Sequence, residues 1–195
     1  MLDARLIGDR YRLLDTVGAG GMGTVYRALD RLTGAYVALK QVALARREGQ
    51  SEGASAILRY ALAQEFKVLA SLRHPHIISV LDYGFDAEPY FTLELLENAQ
   101  PFGEYAAALP LTRQVELAIQ LLQALAYLHQ RGVLHRDLKP GNVMIADDHV
   151  KVLDFGLAVT YAQFNPEEGM VGTLAYIAPE IVGYAPPSVA SDLYA

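Results

Sequence analysis

Residues Gly18 to Gly23 read Gly-Ala-Gly-Gly-Met-Gly, and they lie between two β-rich runs, Tyr11 to Val17 and Thr24 to Leu29. Glycine reaches backbone conformations closed to other residues, so the cluster predicts a tight reversal between two strands. That restricts the start of the chain to an antiparallel arrangement. The spacing G-x-G-x-x-G at Gly18, Gly20 and Gly23 also brings backbone N–H groups close to phosphate oxygens with no side chain in the way. A simple turn explains the glycines too, so the loop carries no function by itself. A dinucleotide fingerprint is excluded, because that loop must open a helix and here a strand follows. A Walker loop is excluded as well, since no Gly-Lys-Ser/Thr follows. Asp30 to Gly34 gives the next turn. Ala35 to Val42 returns as a strand with Val37 and Leu39 on one face, completing an antiparallel meander.

From Ser55 to Leu72 the pattern becomes helical, with Leu58, Leu62, Glu65, Leu69 and Leu72 at three- and four-residue steps. Glu65 places an acid on the inward stripe, where an unpaired carboxylate is costly and calls for a partner. His74-Pro75 ends this helix. Ile77 to Leu81 and Tyr90 to Leu96 read as strands separated by a polar turn at Asp86 to Pro89. The chain changes character near Glu94 to Pro101. Thr112 to Gln130 is an amphipathic helix with Val115, Ile119, Leu122 and Ala126 on one face, Thr112 as its N-cap and Gly132 as its stop. Short loops and strands follow to Ala158, and a last helix begins near Ser188 or Ser191. No internal repeat or low-complexity tract interrupts the pattern.

The chain has 195 residues, 52% hydrophobic and 19% charged, too apolar for a disordered segment. It has no cysteine, which excludes disulfides, thiol nucleophiles and cysteine-based zinc sites. No apolar run reaches the roughly 18 residues a membrane helix needs, and Met1 to Arg5 is mixed and charged, unlike a signal peptide. A cytoplasmic location is expected. The net charge is −6. Up to Glu97 there are 11 basic and 12 acidic residues, and beyond it 5 and 10. An acidic chain without a basic stripe does not suit nucleic acid. Acidity in the second part suits Mg²⁺ or a cationic substrate, although a solvated acidic surface explains it equally.

Three clusters carry chemistry. Lys40 ends Val37-Ala38-Leu39-Lys40; a strand lysine is ordinarily solvent-facing, but one oriented by a carboxylate such as Glu65 can sit over phosphates. The densest cluster is His135-Arg136-Asp137-Leu138-Lys139-Pro140-Gly141-Asn142. A carboxylate there can orient an attacking hydroxyl and take its proton. A lysine two residues on can hold phosphoryl oxygens, and an amide five residues on can bind a cation without adding charge. Single residues of these types are common on surface loops; eight in a row fitting these roles are not. Asp154-Phe155-Gly156 follows the apolar run Val150 to Leu153. An aspartate at a strand end with a glycine hinge can ligate Mg²⁺, though Asp-x-Gly also caps ordinary turns.

In this order the motifs resemble the eukaryotic-type protein serine/threonine kinase catalytic domain, from about Tyr11 to Ala195, with Ala178-Pro179-Glu180 closing the series. The wording Gly20 to Tyr26 resembles bacterial members. The resemblance implies an α+β, bilobal protein-kinase-like fold: an antiparallel β-sheet N-lobe plus one helix over 1–97, and a mainly helical C-lobe over 98–195. Asp192 matches the start of the family's central C-lobe helix, so a C-lobe lacking its last helices is expected; whether the stop at Ala195 is natural or marks a fragment of a longer parent protein with an appended sensor or regulatory domain stays open. The cofactors implied are ATP and Mg²⁺, and the partner is a protein substrate bearing Ser or Thr.

The resemblance also assigns roles. Gly18, Gly20 and Gly23 would cover the ATP phosphates, with Val17 among the nucleotide-binding residues. Lys40 would contact the α- and β-phosphates and pair with Glu65, placed nine residues before His74-Pro75. Asn142 and Asp154 would hold Mg²⁺, Asp137 would be the base and Lys139 would meet the γ-phosphate. Val25, Ala38 and Met144 would sandwich the adenine, Glu94 to Leu96 would form the hinge, and Leu93 the gatekeeper. Lys139 and Thr173 follow the serine/threonine pattern. Two other readings stand beside it: an ATP-binding pseudo-enzyme silenced by an incomplete C-lobe, and a small-molecule phosphotransferase. Against the second stand the HRDLKP wording and Ala178-Pro179-Glu180.

One departure from the family pattern concerns activation. Arg136 before the base implies phosphate binding in an activation loop. Yet no Ser or Thr lies between Tyr161 and Thr173, Glu167 and Glu168 stand where a phosphoacceptor would, and Val159 replaces a basic residue. Activation by loop phosphorylation is therefore expected to be weak or absent, an acidic residue substituting in part, with Thr160 and Thr173 the only Ser/Thr candidates. Mass spectrometry after incubation with Mg·ATP checks this; the expected result is no activating phosphate, and one on Thr160 that raises activity contradicts it.

Overall fold

The computed structural model describes residues 5–20, 23–42, 66, 69–154, 159–160 and 174–195, with only the backbone at 20, 159, 160 and 174. The chain divides into two compact units, residues 1–72 with 79–96, and 73–78 with 97–195. Residues 73–78 thus belong with the second part of the chain, a detail no single cut near residue 97 expresses.

The first unit is built on a six-stranded antiparallel sheet. Its strands are β1 (Leu6–Ile7), β2 (Tyr11–Gly20), β3 (Gly23–Asp30), β4 (Tyr36–Gln41), β5 (Val80–Asp86) and β6 (Glu88–Glu94), in the order β1-β2-β3-β4-β6-β5. Alternation along β4 sets the faces. Val37, Leu39 and Gln41 are buried on one side, while Ala38 and Lys40 look to the other and are half-buried. The buried side joins Ile7, Tyr11, Ala28 and Tyr90 in one apolar cluster.

The polar turn expected at Asp86 to Pro89 is a tight hairpin. β5 and β6 continue through it and reverse at Ala87, whose φ is 57°, with Asp86 paired to Glu88. The polarity marks solvent at a tight hairpin and a local bond, the Gly8 N–H donating to Asp86 Oδ2 (3.1 Å). Ile77 is not in β5 either. It forms a parallel bridge to Val152 in the second unit. Of the helix expected over Ser55 to Leu72, residues 66 and 69–71 are described and helical; Glu65 lies outside the described residues. Phe66 stacks on Tyr83 (ring centroids 4.9 Å apart).

An ion-pair network ties the sheet's edge. The Arg10 guanidinium donates to both oxygens of Asp30 (2.7 and 2.8 Å) and to Asp82 (2.6 Å), and the Tyr11 hydroxyl donates to the same Asp82 oxygen (2.9 Å). The bidentate pair holds the Asp30 carboxyl well below its ordinary range, helped by donations from Thr33 and the Leu32 amide.

The second unit contains β7 (Gln100–Pro101), α1 (Phe102–Ala107), α2 (Leu111–Gln130), β8 (Val133–Leu134), a 3₁₀ turn (Pro140–Asn142), β9 (Val143–Ala146), β10 (His149–Val152), β11 (Val159–Thr160), a second 3₁₀ turn (Leu174–Tyr176), α3 (Pro179–Val182) and α4 (Val189–Tyr194). The strands form a three-stranded sheet, β10-β9-β7, and a pair, β11-β8.

The long helix differs from its predicted form in two ways. Its N-cap is Pro110, whose fixed φ and missing N–H suit a helix start, so Thr112 lies in the first turn. Its buried face is Leu117, Ala124, Leu125 and Leu128; the predicted stripe of Val115, Ile119, Leu122 and Ala126 faces solvent, with Val115 at 49% exposure against 0% for Leu117. The Val150 N–H donates to Gln120 Oε1 (2.9 Å), which fixes which side of the helix meets β10. Gly132 does end the helix, at φ 69°. Ser188 caps α4, its N–H donating to Ser191 Oγ (3.1 Å), whose hydroxyl donates to Glu180 (2.9 Å). No helix among the described residues is long and apolar enough to cross a membrane.

Gly84 is packed under the Tyr90 ring, and a methyl group there would overlap the Tyr90 hydroxyl. The ring is buried and cannot swing away. Gly84→Ala is expected to lower unfolding stability by about 1–3 kcal/mol, measured by urea denaturation.

Candidate functional site

The octet His135 to Asn142 folds around its own polar groups. Lys139 leads into the 3₁₀ turn, and the Asn142 N–H donates to the Lys139 carbonyl (2.9 Å). That turn brings Asn142 back beneath Asp137. The Asn142 Nδ2 group donates to the Asp137 carbonyl (2.7 Å) and to Asp137 Oδ2 (3.0 Å). Lys139 Nζ donates to the same Oδ2 (2.7 Å). Asp137 and Asn142 are both buried. Because the Asn142 nitrogen is spent on Asp137, its Oδ1 remains as a neutral oxygen donor on the opposite side of the amide. Asp154 supplies a carboxylate at the end of β10. A neutral amide oxygen and a carboxylate form a hard-oxygen pair that suits Mg²⁺.

The residue before Asp154 is tied twice. The Leu153 N–H donates to the Asn142 carbonyl (2.8 Å), and the Leu153 carbonyl accepts from His135 Nε2 (2.9 Å). His135 is fully buried, and burial pushes its imidazole below the ordinary range, so it is neutral at neutral pH. Its proton then sits on Nε2, leaving Nδ1 as acceptor toward the Asp137 N–H (3.4 Å). One imidazole thus bridges the segments that carry Asp137 and Asp154.

Asp192 anchors the loop from below. Its Oδ1 accepts the Arg136 N–H (2.9 Å), and its Oδ2 accepts the His135 N–H (2.9 Å) and His129 Nε2 (2.9 Å). It is 3% exposed. Arg136 has φ 66°, a left-handed conformation costly for a side-chain-bearing residue, and the carboxylate satisfies the amides that this conformation leaves over. The motif reading missed this support. Asp192 was singled out only as the start of a helix, and no short-range spacing links position 192 to position 135. His129 was not singled out.

In the first unit, strand register aligns several candidates on one face of the sheet. Gly18 pairs with Val25, Val25 with Lys40 and Lys40 with Phe91, while Ala38 pairs with Leu93. Gly20 pairs with Gly23, whose φ of 126° only glycine adopts readily. Val17 is exposed beside a bulge in β2. Glu94 directs its carboxylate inward, Oε1 accepting the Ser79 N–H (3.0 Å), and Leu96 is half-buried. Met144, half-buried in the second unit, pairs with Lys151 and Pro101. Glu65, Phe155, Gly156, Tyr161, Glu167, Glu168 and Thr173 lie outside the described residues, as do the side chains of Val159 and Thr160.

The protein kinase domain model matches residues 11–195. The chain belongs to the protein kinase domain family. A cell division control protein 2 homolog of Trypanosoma brucei is 37% identical over 89% of the chain and 55% of its own length. A DNA damage-responsive serine/threonine-protein kinase of Deinococcus radiodurans is 37% identical over 97% of the chain and 29% of its own length. A probable serine/threonine-protein kinase of Streptomyces coelicolor is 34% identical over 100% of the chain and 30% of its own length. The chain therefore spans about half the length of the first of these relatives and under a third of the other two.

Removing the anchor should be costly. Asp192→Ala strands the buried His135 amide and the part-buried Arg136 amide, and its unfolding free energy is expected to fall by about 1.5–3 kcal/mol in chemical denaturation.

Proposed function

We propose that this chain is an ATP-dependent protein serine/threonine kinase domain that transfers the γ-phosphoryl group to Ser or Thr hydroxyls. The observation that carries this reading is the hydrogen-bonded set Asp137, Lys139 and Asn142, built within six residues around one carboxylate oxygen. Asp137 orients the attacking hydroxyl and accepts its proton. Lys139, two residues on, steadies the phosphoryl oxygens as charge develops. Asn142 and Asp154 hold Mg²⁺, which when bound neutralises phosphate charge. Lys40, with Glu65 as its partner, binds the α- and β-phosphates, and the backbone of Gly18, Gly20 and Gly23 covers them. Val17, Val25, Ala38, Leu93 and Met144 receive the adenine, with Glu94 and Leu96 offering backbone groups to its edge. The kinase names of the relatives support the same activity and a protein substrate.

Phosphoryl transfer passes through a loose transition state, so positioning and charge neutralisation dominate and little covalent chemistry is asked of the protein. Asp137→Ala and Lys40→Met are each expected to lower kcat by roughly a hundredfold or more. Transfer of labelled phosphate to casein or myelin basic protein measures this. Wild-type turnover in a folded variant refutes the assignment. ATP binding without any transfer by the unaltered chain supports the silent, nucleotide-binding reading instead, and transfer to an aminoglycoside supports a small-molecule phosphotransferase.

A further inference from the structure

Three histidine rings line up along the second unit, away from the residues discussed above. His74 and His76 lie 5.4 Å apart between centroids, and His76 and His149 lie 6.1 Å apart. His74 also packs on Tyr127 (ring centroids 4.9 Å apart), and the Arg131 guanidinium sits over the same ring, 3.7 Å from its centroid. His76 is 8% exposed. The segment bearing the first two rings docks on the end of β10 by backbone bonds. The Val152 N–H donates to the His76 carbonyl (2.9 Å), and the Ile78 N–H donates to the Val152 carbonyl (3.0 Å).

The hydrogen bonds fix how the rings carry their protons. His74 Nδ1 accepts the His76 backbone N–H (3.2 Å), so that nitrogen must be unprotonated. His76 Nδ1 faces the Val150 carbonyl (3.2 Å) and donates to it. A second proton on His74 would therefore enter at Nδ1 and destroy a backbone hydrogen bond. A second proton on His76 would enter at Nε2 and charge a buried ring.

We propose that His74 and His76 form an acid-sensitive latch whose uncharged rings hold residues 73–78 against β10 at neutral pH, and whose protonation loosens that attachment; His149 packs beside the His76 ring. Cationic groups surround the two rings. Arg73 is on the same segment, Arg131 caps the C-terminus of α2, which also carries Tyr127, and His149 and Lys151 come from β10. Burial, then His76 and Arg131, lowers the affinity of His74 for a second proton. For His76, burial acts first; the Val150 carbonyl opposes it, and His149 and Lys151 reinforce it.

The sign follows from linkage. Below the ordinary histidine range, near pH 6.5, the unfolded chain binds protons that the folded cluster refuses. Stability from the neutral rings is complete above that range and is lost as pH falls through it. The effect reaches beyond the cluster, because Val152, held by the His76 carbonyl, lies two residues before Asp154.

The test compares melting of the whole chain with that of His74→Asn/His76→Asn between pH 7.5 and 5.5. An asparagine at 74 can still accept the i+2 N–H, and one at 76 can still donate to Val150, but neither titrates. His135 is common to both proteins. The wild-type Tm is expected to fall by roughly 2–4 °C more than that of the double variant. Parallel curves overturn the proposal. If the double variant does not fold, NMR of the wild type decides. The latch requires ring titrations of His74 and His76 below pH 6.5 and a loss of Val152 amide protection over the same interval. Titration at or above 6.5, or unchanged protection, overturns it.

Discussion

Asp192 offers two oxygens to three donors, and the loop His135 to Asn142 takes its shape from that. The backbone at Arg136 turns through the left-handed region, where a residue with a side chain sits only if its surroundings compel it. The two amides exposed by the turn, those of His135 and Arg136, end on one carboxylate. Its orientation is set in turn by the imidazole of His129 at the end of the long helix. The Asp137 carboxylate, the 3₁₀ turn and Asn142 follow from this starting point. An anchor of this kind works through backbone groups, so the side chains of the loop stay available for chemistry.

The motifs were legible because they are local. Lys40, the octet and Asp154 are each recognised within a few residues, and strand alternation places Ala38 and Lys40 on one face of β4 with Val37 and Leu39 on the other. Long-range support was not legible in the same way. Asp192 meets His135 across 57 positions, and no periodicity spans that distance. The helix Leu111–Gln130 shows a different limit. It is apolar on more than one side, so its period identifies a helix without selecting a face. Gln120 and Leu117, meeting β10 and the core, make the selection. The hairpin at Ala87 lies where the polar run placed a turn, but its strands extend into that run, because polar residues mark exposure, which a paired strand end has as readily as a loop.

The two units use charge differently. In the first, Arg10 gathers Asp30 and Asp82 into a structural tie at the sheet edge, distant in sequence from Lys40. In the second, the buried acids Asp137 and Asp192 each face donors supplied by their own fold. Buried carboxylates are expensive when unmatched, and each of these is matched by a bond the local backbone geometry determines. Exposed acids such as Glu116 and Asp148 pair at the surface with Arg113.

Leu153 is hydrogen-bonded through both its amide and its carbonyl, to Asn142 on one side and His135 on the other. It is clamped like a beam at an abutment. Asp154, the next residue, has a φ of 56°, an uncommon backbone well. The octet and the end of the β10 segment are thereby coupled through one residue's amide and carbonyl, so a displacement of either is felt by the other.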